Sequence, residues 1–343
     1  MDTGIIVDES DIVKSSATKM EGIQFVRDGS SGKNNKLGYD LLNIIAYDKD
    51  GDGYQIKPLS SDLIARDTEL DGVSQILEDR LIEITIASGN KGVYLFDRGY
   101  DERGLFGFLG LHDMNFIVRS MGIRNIIVGD KERPFKEVAK SVSLTTRIEV
   151  KENGQQIMCG LKRVKLRLDS HPKKHPETVE LYLVVAKFSP NKHGKQGYFY
   201  FFCNFPVLPH LSDDQIMEKV IRMYRLRWKI EEVHKHIKQE YGWEDIQLTS
   251  YLRLKNMNQV LLLAMSYLYS LKRIAEQIMM AFPHYMNYSK KKWKKIYGFV
   301  YYKLSGIVSL CFAHVSRYNV DKFKGVRRDY MQLEIPCMKN GGM

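Results

Sequence analysis

The sequence predicts a mixed α/β fold, a central sheet with helices on its flanks. Three observations predict it. Short apolar runs such as TGIIVDES, KGVYLFDRGY and NFIVRS have strand length and end at polar or glycine-bearing breaks. Between them lie stretches with apolar residues three and four apart, the period of a helix. The resulting order of strand, hairpin, helix, strand, helix, strand is a mixed α/β order with a central sheet.

In chain order, TGIIVDES is a short strand ending in Asp8, followed by the polar, glycine-rich loop RDGSSGKNNKLG. GYDLLNIIAYD and GYQIKPLS form a hairpin across the turn-rich DKDGDG. Residues 61–88 carry Leu63, Ile64, Leu70, Val73, Ile76, Leu77, Leu81 and Ile82 at helical spacing. KGVYLFDRGY is a fully apolar strand ending in Asp97, ERGLFGFLGLHDM a helix, and NFIVRS a strand ending at Arg119. From about 145 to 205 the character changes to β: TTRIEVKENGQQIMCGLKRVKLRLD, TVELYLVVAKF and GYFYFFCNF, broken by the loops HPKKHPE and SPNKHGKQ. From about 212 the chain reads as helical, ending in a basic stretch around SKKKWKK.

Composition narrows the class. Hydrophobic residues make up 44% of the 343, enough for a sizeable core in one large domain or two smaller ones. Lysine and arginine exceed the acids by 52 to 41, a net charge of +11, which points to a polyanionic partner, nucleic acid or an anionic membrane surface. Cys159, Cys203, Cys311 and Cys337 lie far apart with no CxxC pair, which argues against a paired-cysteine zinc site and fits a reducing cytoplasm. The N-terminal MDTGIIVDESD has no apolar signal core, and the longest apolar run, Val260–Leu271, is too short to span a bilayer and reads as a buried helix. A cytoplasmic protein with no membrane partner is expected.

The stretch YRLRWKIEEVHKHIK carries the densest chemistry. At about 100° per residue, Tyr224, Arg227, Glu231 and Lys238 share one narrow stripe of a helix, while Met223, Leu226, Ile230, Val233 and Ile237 cluster about a third of a turn away. One face is buried; the next presents an acid among cations. Such a stripe also serves as a solvated, salt-bridged face. His234 and His236 are expected on the helix surface. Glu232 competes with Glu231 but points about 100° away, and Asp11 competes with Asp8.

Asp8, Asp97 and Glu231 stand out together. Two end strands, where sites gather in open α/β sheets, and one lies on the helix beside basic residues. Carboxylates are natural ligands of magnesium or manganese, and two such ions activate a nucleophile and stabilise a leaving oxygen in phosphodiester chemistry.

On these residues the chain resembles the DDE transposases of the insertion-sequence-4 type, with a ribonuclease-H-like catalytic core. That group's signature of Tyr, two residues, Arg, three residues, Glu, six residues, Lys is matched by Tyr224, Arg227, Glu231 and Lys238. IIVDES resembles the block of the first aspartate, YLFDRGY that of the second, NFIVRS the strand that follows, and FFCNFP the segment before the last helix, with Cys203-Asn204 where Thr-Asn is frequent. The long stretch between Asp97 and Glu231 is filled in this group by a β-rich insertion. The likeness covers roughly residues 1–270.

The resemblance implies that Asp8, Asp97 and Glu231 hold two divalent ions, Mg²⁺ or Mn²⁺. It implies that Tyr224, Arg227, Lys238 and Arg119 contact DNA, whose phosphates accept from guanidinium, ammonium and phenol donors. The activity implied is metal-dependent cleavage and strand transfer at the ends of a bacterial insertion sequence, by a homodimer on double-stranded DNA. Alternatives are a truncated remnant that only binds DNA and a nuclease on the same core. Residues 1–140 are expected to form the first part of the ribonuclease-H-like core, 141–210 the β-rich insertion, 211–275 the core helix and those after it, and 276–343 a basic helical region. Lys290–Lys295 with Trp293 either track a DNA backbone or form a solvated basic face. An aromatic among Tyr198–Phe202 either receives a flipped base or belongs to the sheet core. In this group a helical end-recognition domain precedes the first aspartate; with Asp8 so near the start, the sequence as given departs from that pattern.

Overall fold

Ile5, Ile6 and Val7, β-branched and fully buried, occupy the middle of a sheet whose strands cover most of the described chain. The computed structural model describes residues 3–14, 17, 19–26, 36–50, 53–65, 73–150, 155–169, 177–188, 197–208, 210–274, 301 and 304–309. Contacts divide the chain into two units, Met1–Ser270 and Leu271–Met343. In the second, residues 304–309 are helical and Leu304 and Ile307 are buried. The basic stretch Lys290–Lys295 lies outside the described residues, as do HPKKHPE up to Pro176 and all of SPNKHGKQ.

In the first unit, β1 (Thr3–Val13) is followed by the short β2 (Gln24–Val26), the long hairpin of β3 (Lys36–Asp50) and β4 (Gly53–Ile64), and helix α1 (Val73–Ser88). Next come β5 (Gly92–Phe96), α2 (Arg103–Leu111), β6 (Asn115–Arg119), the small hairpin of β7 (Asn125–Val128) and β8 (Lys131–Pro134), and α3 (Phe135–Lys140). Four strands follow, β9 (Thr146–Val150), β10 (Gln155–Arg167), β11 (Thr178–Phe188) and β12 (Gly197–Asn204), then α4 (Asp213–Tyr224), α5 (Lys229–Gln239) and α6 (Tyr251–Ser270).

All the described strands join one sheet, in the order β4-β3-β1-β5-β6-β12-β11-β10, with β2 also on β3 and with β9 and the β7–β8 hairpin on β10. β1, β5 and β6 are parallel and β3 antiparallel to them, the arrangement of a ribonuclease-H-like fold. The strands of 146–204 extend that same sheet from the edge of β6, through β12. β5 is buried on both faces, as its unbroken apolar run requires.

The pleat separates two cores. Ile5, Val7, Tyr94, Phe96, Phe116, Val118 and Phe202 face α1, α2 and α3. The alternate residues, Ile6, Leu95, Ile117 and Phe201, are buried on the other face. Phe201 meets Tyr224 of α4 there, and α5 packs over β1. Gly38 lets β3 approach β1: a Cβ would stand 2.1 Å from the Ile12 carbonyl oxygen. Past the end of β1, buried Lys14 donates to the carbonyls of Trp243, Glu244 and Ile246 at 2.5, 3.1 and 2.7 Å, tying the turn after α5 to this strand.

Four sequence expectations change. β1 continues past Asp8 to Val13 because Ile12 is buried and the ladder to β3 persists. The helix expected over 61–88 begins only at Val73, since Leu63 and Ile64 complete the β4 ladder. The stretch 224–238 is two helices: between Tyr224 and Lys229 the amides of Leu226, Arg227 and Lys229 bond three residues back, a tighter winding than α. α6 buries Leu254, Leu261, Met265 and Leu268 but leaves Val260, Leu263 and Tyr267 exposed, so its apolar run is only half covered.

Candidate active site

Register builds the site. β1 pairs with β5 at Ile6 and Leu95, and β5 with β6 at Leu95 and Ile117. Continued by two residues, the same register sets Asp8 beside Asp97 and Asp97 beside Arg119, strand to strand at about 4.8 Å. Asn43 on β3 pairs with Asp8, and Phe201 on β12 pairs with Arg119. Direct neighbours share a face, so Asn43, Asp8, Asp97, Arg119 and Phe201 make one row on the side covered by α4 and α5.

The turn between α4 and α5 adds Arg227. Its guanidinium reaches the Asp8 carboxylate at 3.1 Å with one nitrogen and the Glu231 carboxylate at 3.1 Å with the other. Arg227 and Asp8 are largely buried, each 16% exposed, whereas Glu231 is 63% exposed. The Asp8 carboxyl is pushed up to about 7, chiefly by burial and also by the charges of Asp97 and Glu231, against the pull of Arg227. One cation shared by two carboxylates does not offset burial among three acids.

The remaining expected residues are also engaged. Asp97 accepts the amide of Gly99 at 2.6 Å and caps the turn 98–100. Tyr224 packs on Phe201, with ring centroids 4.7 Å apart. Burial raises the Tyr224 phenol, against the pull of Arg227 and of Arg119, with which it hydrogen-bonds. Arg119 also lies over the Phe199 ring at 4.5 Å. Lys238 pairs with Asp11 at 3.2 Å and reaches Glu244 at 4.0 Å. Glu232 turns to Lys229 at 3.1 Å, away from Arg227. Of the aromatics 198–202, Phe201 and Phe202 are core and Tyr198 is exposed.

The two histidines are not on the surface. His236 is fully buried, with Nδ1 2.9 Å from the Tyr269 hydroxyl of α6. His234 is also buried, and its Nε2 has no hydrogen-bond partner among the described residues. Burial lowers them to about 4 and about 3 respectively, His234 with help from Lys238 and Arg227. Val233 and Ile237 bring this side of α5 against the core, and the histidines go with them.

Two further residues escaped the sequence reading. Buried Asn43, in the row beside Asp8, has an amide nitrogen without a partner among the described residues. Its signal was a polar residue inside the apolar run LLNIIAY. Buried Asp101 pairs with Arg124 at 2.5 Å and accepts from the Ser120 hydroxyl at 3.0 Å and the Met121 amide at 2.7 Å. It thereby pins the chain just after Arg119.

The donor set fits a divalent cation: oxygen ligands only, two on adjoining strands, with too little positive charge around Asp8. Among the described residues no three side chains already stand as a metal cage. Here the Glu231 carboxylate is on Arg227, and the Asp97 carboxylate accepts the amide of its own cap.

No helix among the described residues is long and apolar enough to cross a membrane. A comparison with curated proteins finds no match. A model of the transposase DDE domain, in contrast, matches residues 2–268, the span that contains the whole row of strands, the Arg227 bridge and α4 to α6 almost to its end. With most of its length inside that match and a ribonuclease-H-like sheet carrying its two aspartates side by side, the chain belongs to the transposase DDE domain family.

Proposed function

We propose that this chain is a transposase of the insertion-sequence-4 type that cleaves DNA at the ends of a mobile element and joins the freed 3′-hydroxyls to a target. The family acts on DNA; the specific reaction rests on the row of Asp8, Asp97 and Arg119 with Glu231 tied to Asp8 through Arg227. That row is the observation that carries the reading.

Asp8, Asp97 and Glu231 would hold Mg²⁺ or Mn²⁺. Bound there, two such ions would polarise the scissile phosphodiester and activate its attacking oxygen. The protein's own groups do the rest. Arg119 and Tyr224, hydrogen-bonded to each other, present paired donors to a phosphate. Arg227 and Lys238, each now on a carboxylate, exchange that partner for DNA. Exposed Glu231 is free to swing toward the aspartates. A homodimer, one subunit to each element end, completes the reading.

The test is nicking and joining on duplexes carrying the native element ends, with Mg²⁺ or Mn²⁺. Wild type should do both. Glu231→Gln should lose at least about 10²-fold in rate while still binding DNA, the usual scale for a group that stabilises transition-state charge. Full cleavage by the variant removes Glu231 from the mechanism; binding without cleavage in the wild type identifies a DNA-binding remnant, and cleavage without joining a nuclease.

A further inference from the structure

The geometry points to Arg227 as a built-in stand-in for the divalent ion, which closes the acid site until DNA draws it away. This rests on the metal-binding reading of Asp8 and Glu231. Arg227 spans both carboxylates, at 3.1 Å each, from separate nitrogens of one planar fork. The guanidinium thus engages two of the carboxylates that would hold a divalent ion.

Three features make the arrangement specific. Arg227 sits in the tight turn between α4 and α5, where the Arg227 amide bonds to the Tyr224 carbonyl and the Ile230 amide to the Arg227 carbonyl, so its backbone is fixed at a set height over β1. It is largely buried, as is Asp8, so the pair is poorly screened by water. Its far partner, Glu231, is exposed and costs little to release.

Nearby cations are otherwise engaged: Lys238 is on Asp11, and Arg119 on Tyr224 and the Phe199 ring. Arg227 is therefore the group that must leave Asp8 and Glu231 before both can bind a metal. A DNA phosphate is the chemistry that competes for a guanidinium fork. Metal and DNA then bind with positive coupling, and by linkage each raises the affinity for the other by the same factor.

The test measures Mn²⁺ affinity by electron paramagnetic resonance, on the full chain without DNA, with circular dichroism confirming the fold of each variant. Arg227→Gln should bind Mn²⁺ about tenfold more tightly than wild type, within the range typical of coupled sites. Arg227→Lys, which keeps the charge but loses the fork, should shift in the same direction. Adding an element-end duplex should raise wild-type affinity by a similar factor and leave Arg227→Gln nearly unchanged. Arg227→Lys indistinguishable from wild type would show that charge alone acts and would overturn the bridge, as would a duplex without effect on the wild type. Asp8→Asn controls the underlying reading. Mn²⁺ binding that Asp8→Asn abolishes, but that all Arg227 variants share equally, sinks the stand-in and keeps the metal site. Binding absent everywhere, or indifferent to Asp8→Asn, sinks both.

Discussion

Asn43 shows what a single side chain does in this sheet. It is buried opposite Asp8, and its amide nitrogen lacks a partner among the described residues. A buried donor left unsatisfied costs about 1–3 kcal/mol, whereas an apolar group of the same shape costs nothing of the kind. Asn43→Leu should therefore stabilise the metal-free protein by about 1 kcal/mol in urea unfolding; equal or lower stability would show that the amide is satisfied. The residue stands out in LLNIIAY, but its place beside Asp8 depends on a register no local pattern contains. Asp8 and Asp97 stand out as candidates because each follows an apolar strand run, and Glu231 because it falls in the family's four-residue signature. The Arg227 bridge was legible only as a shared stripe: the sequence puts Arg227 four residues before Glu231, but Asp8 is far away in the chain and only the sheet brings it there.

The helices that carry the signature illustrate the next scale. α4 begins with a capping box in which the Ser212 hydroxyl accepts the Gln215 amide and the Gln215 side chain accepts the Ser212 amide. Ser212→Ala should cost about 1 kcal/mol of stability, measured by urea unfolding; no loss would mean that tertiary contacts hold this helix end. α5 is fastened to α6 by His236 and Tyr269, whose rings stack at 5.7 Å. His236 has its folded value pushed down to about 4 by burial, below the unfolded value near 6.5. Between those values the unfolded chain binds more protons, so the stability that depends on His236 is full above about pH 6.5 and falls as the pH drops toward 4; Asp8, pushed up to about 7, acts with the opposite sign. His234 adds a loss of the same sign as His236, from the same cause. Urea midpoints should decline over that window, and His236→Phe should decline less steeply; an unchanged slope would show that His236 is not the titrating group. The surface placement expected of these histidines failed because both flank the buried face of Val233 and Ile237, and α6 covers His236 through Tyr269.

At the scale of the molecule, the sheet sets the site and the charge sets the encounter. One continuous sheet from β4 to β10 holds Asp8 and Arg119 on the strands either side of β5, and Asp97 follows β5 directly, so the row is set by the register of those three strands. The net charge of +11 supplies a long-range attraction to DNA that carries no sequence information. Binding of a random duplex should weaken with salt: three cationic phosphate contacts, from Arg119, Arg227 and Lys238, imply a loss of about 40-fold between 50 and 200 mM. A flat salt dependence would mean that Arg119, Arg227 and Lys238 do not meet phosphates.

The strand runs, the hairpin and the β-rich stretch before the signature are determined by the sequence alone, which also singles out Asp8, Asp97 and Glu231 as candidates. Each is encoded within a few residues, through side-chain period, turn chemistry and fixed spacing. Tertiary structure decided how far β1 runs, where the signature helix breaks, that both histidines are buried, and that Arg227 rather than open solvent faces Asp8. Those outcomes depend on which segments distant in the chain lie against one another, and the energy of a buried charge depends on its neighbours in space rather than on its neighbours in sequence.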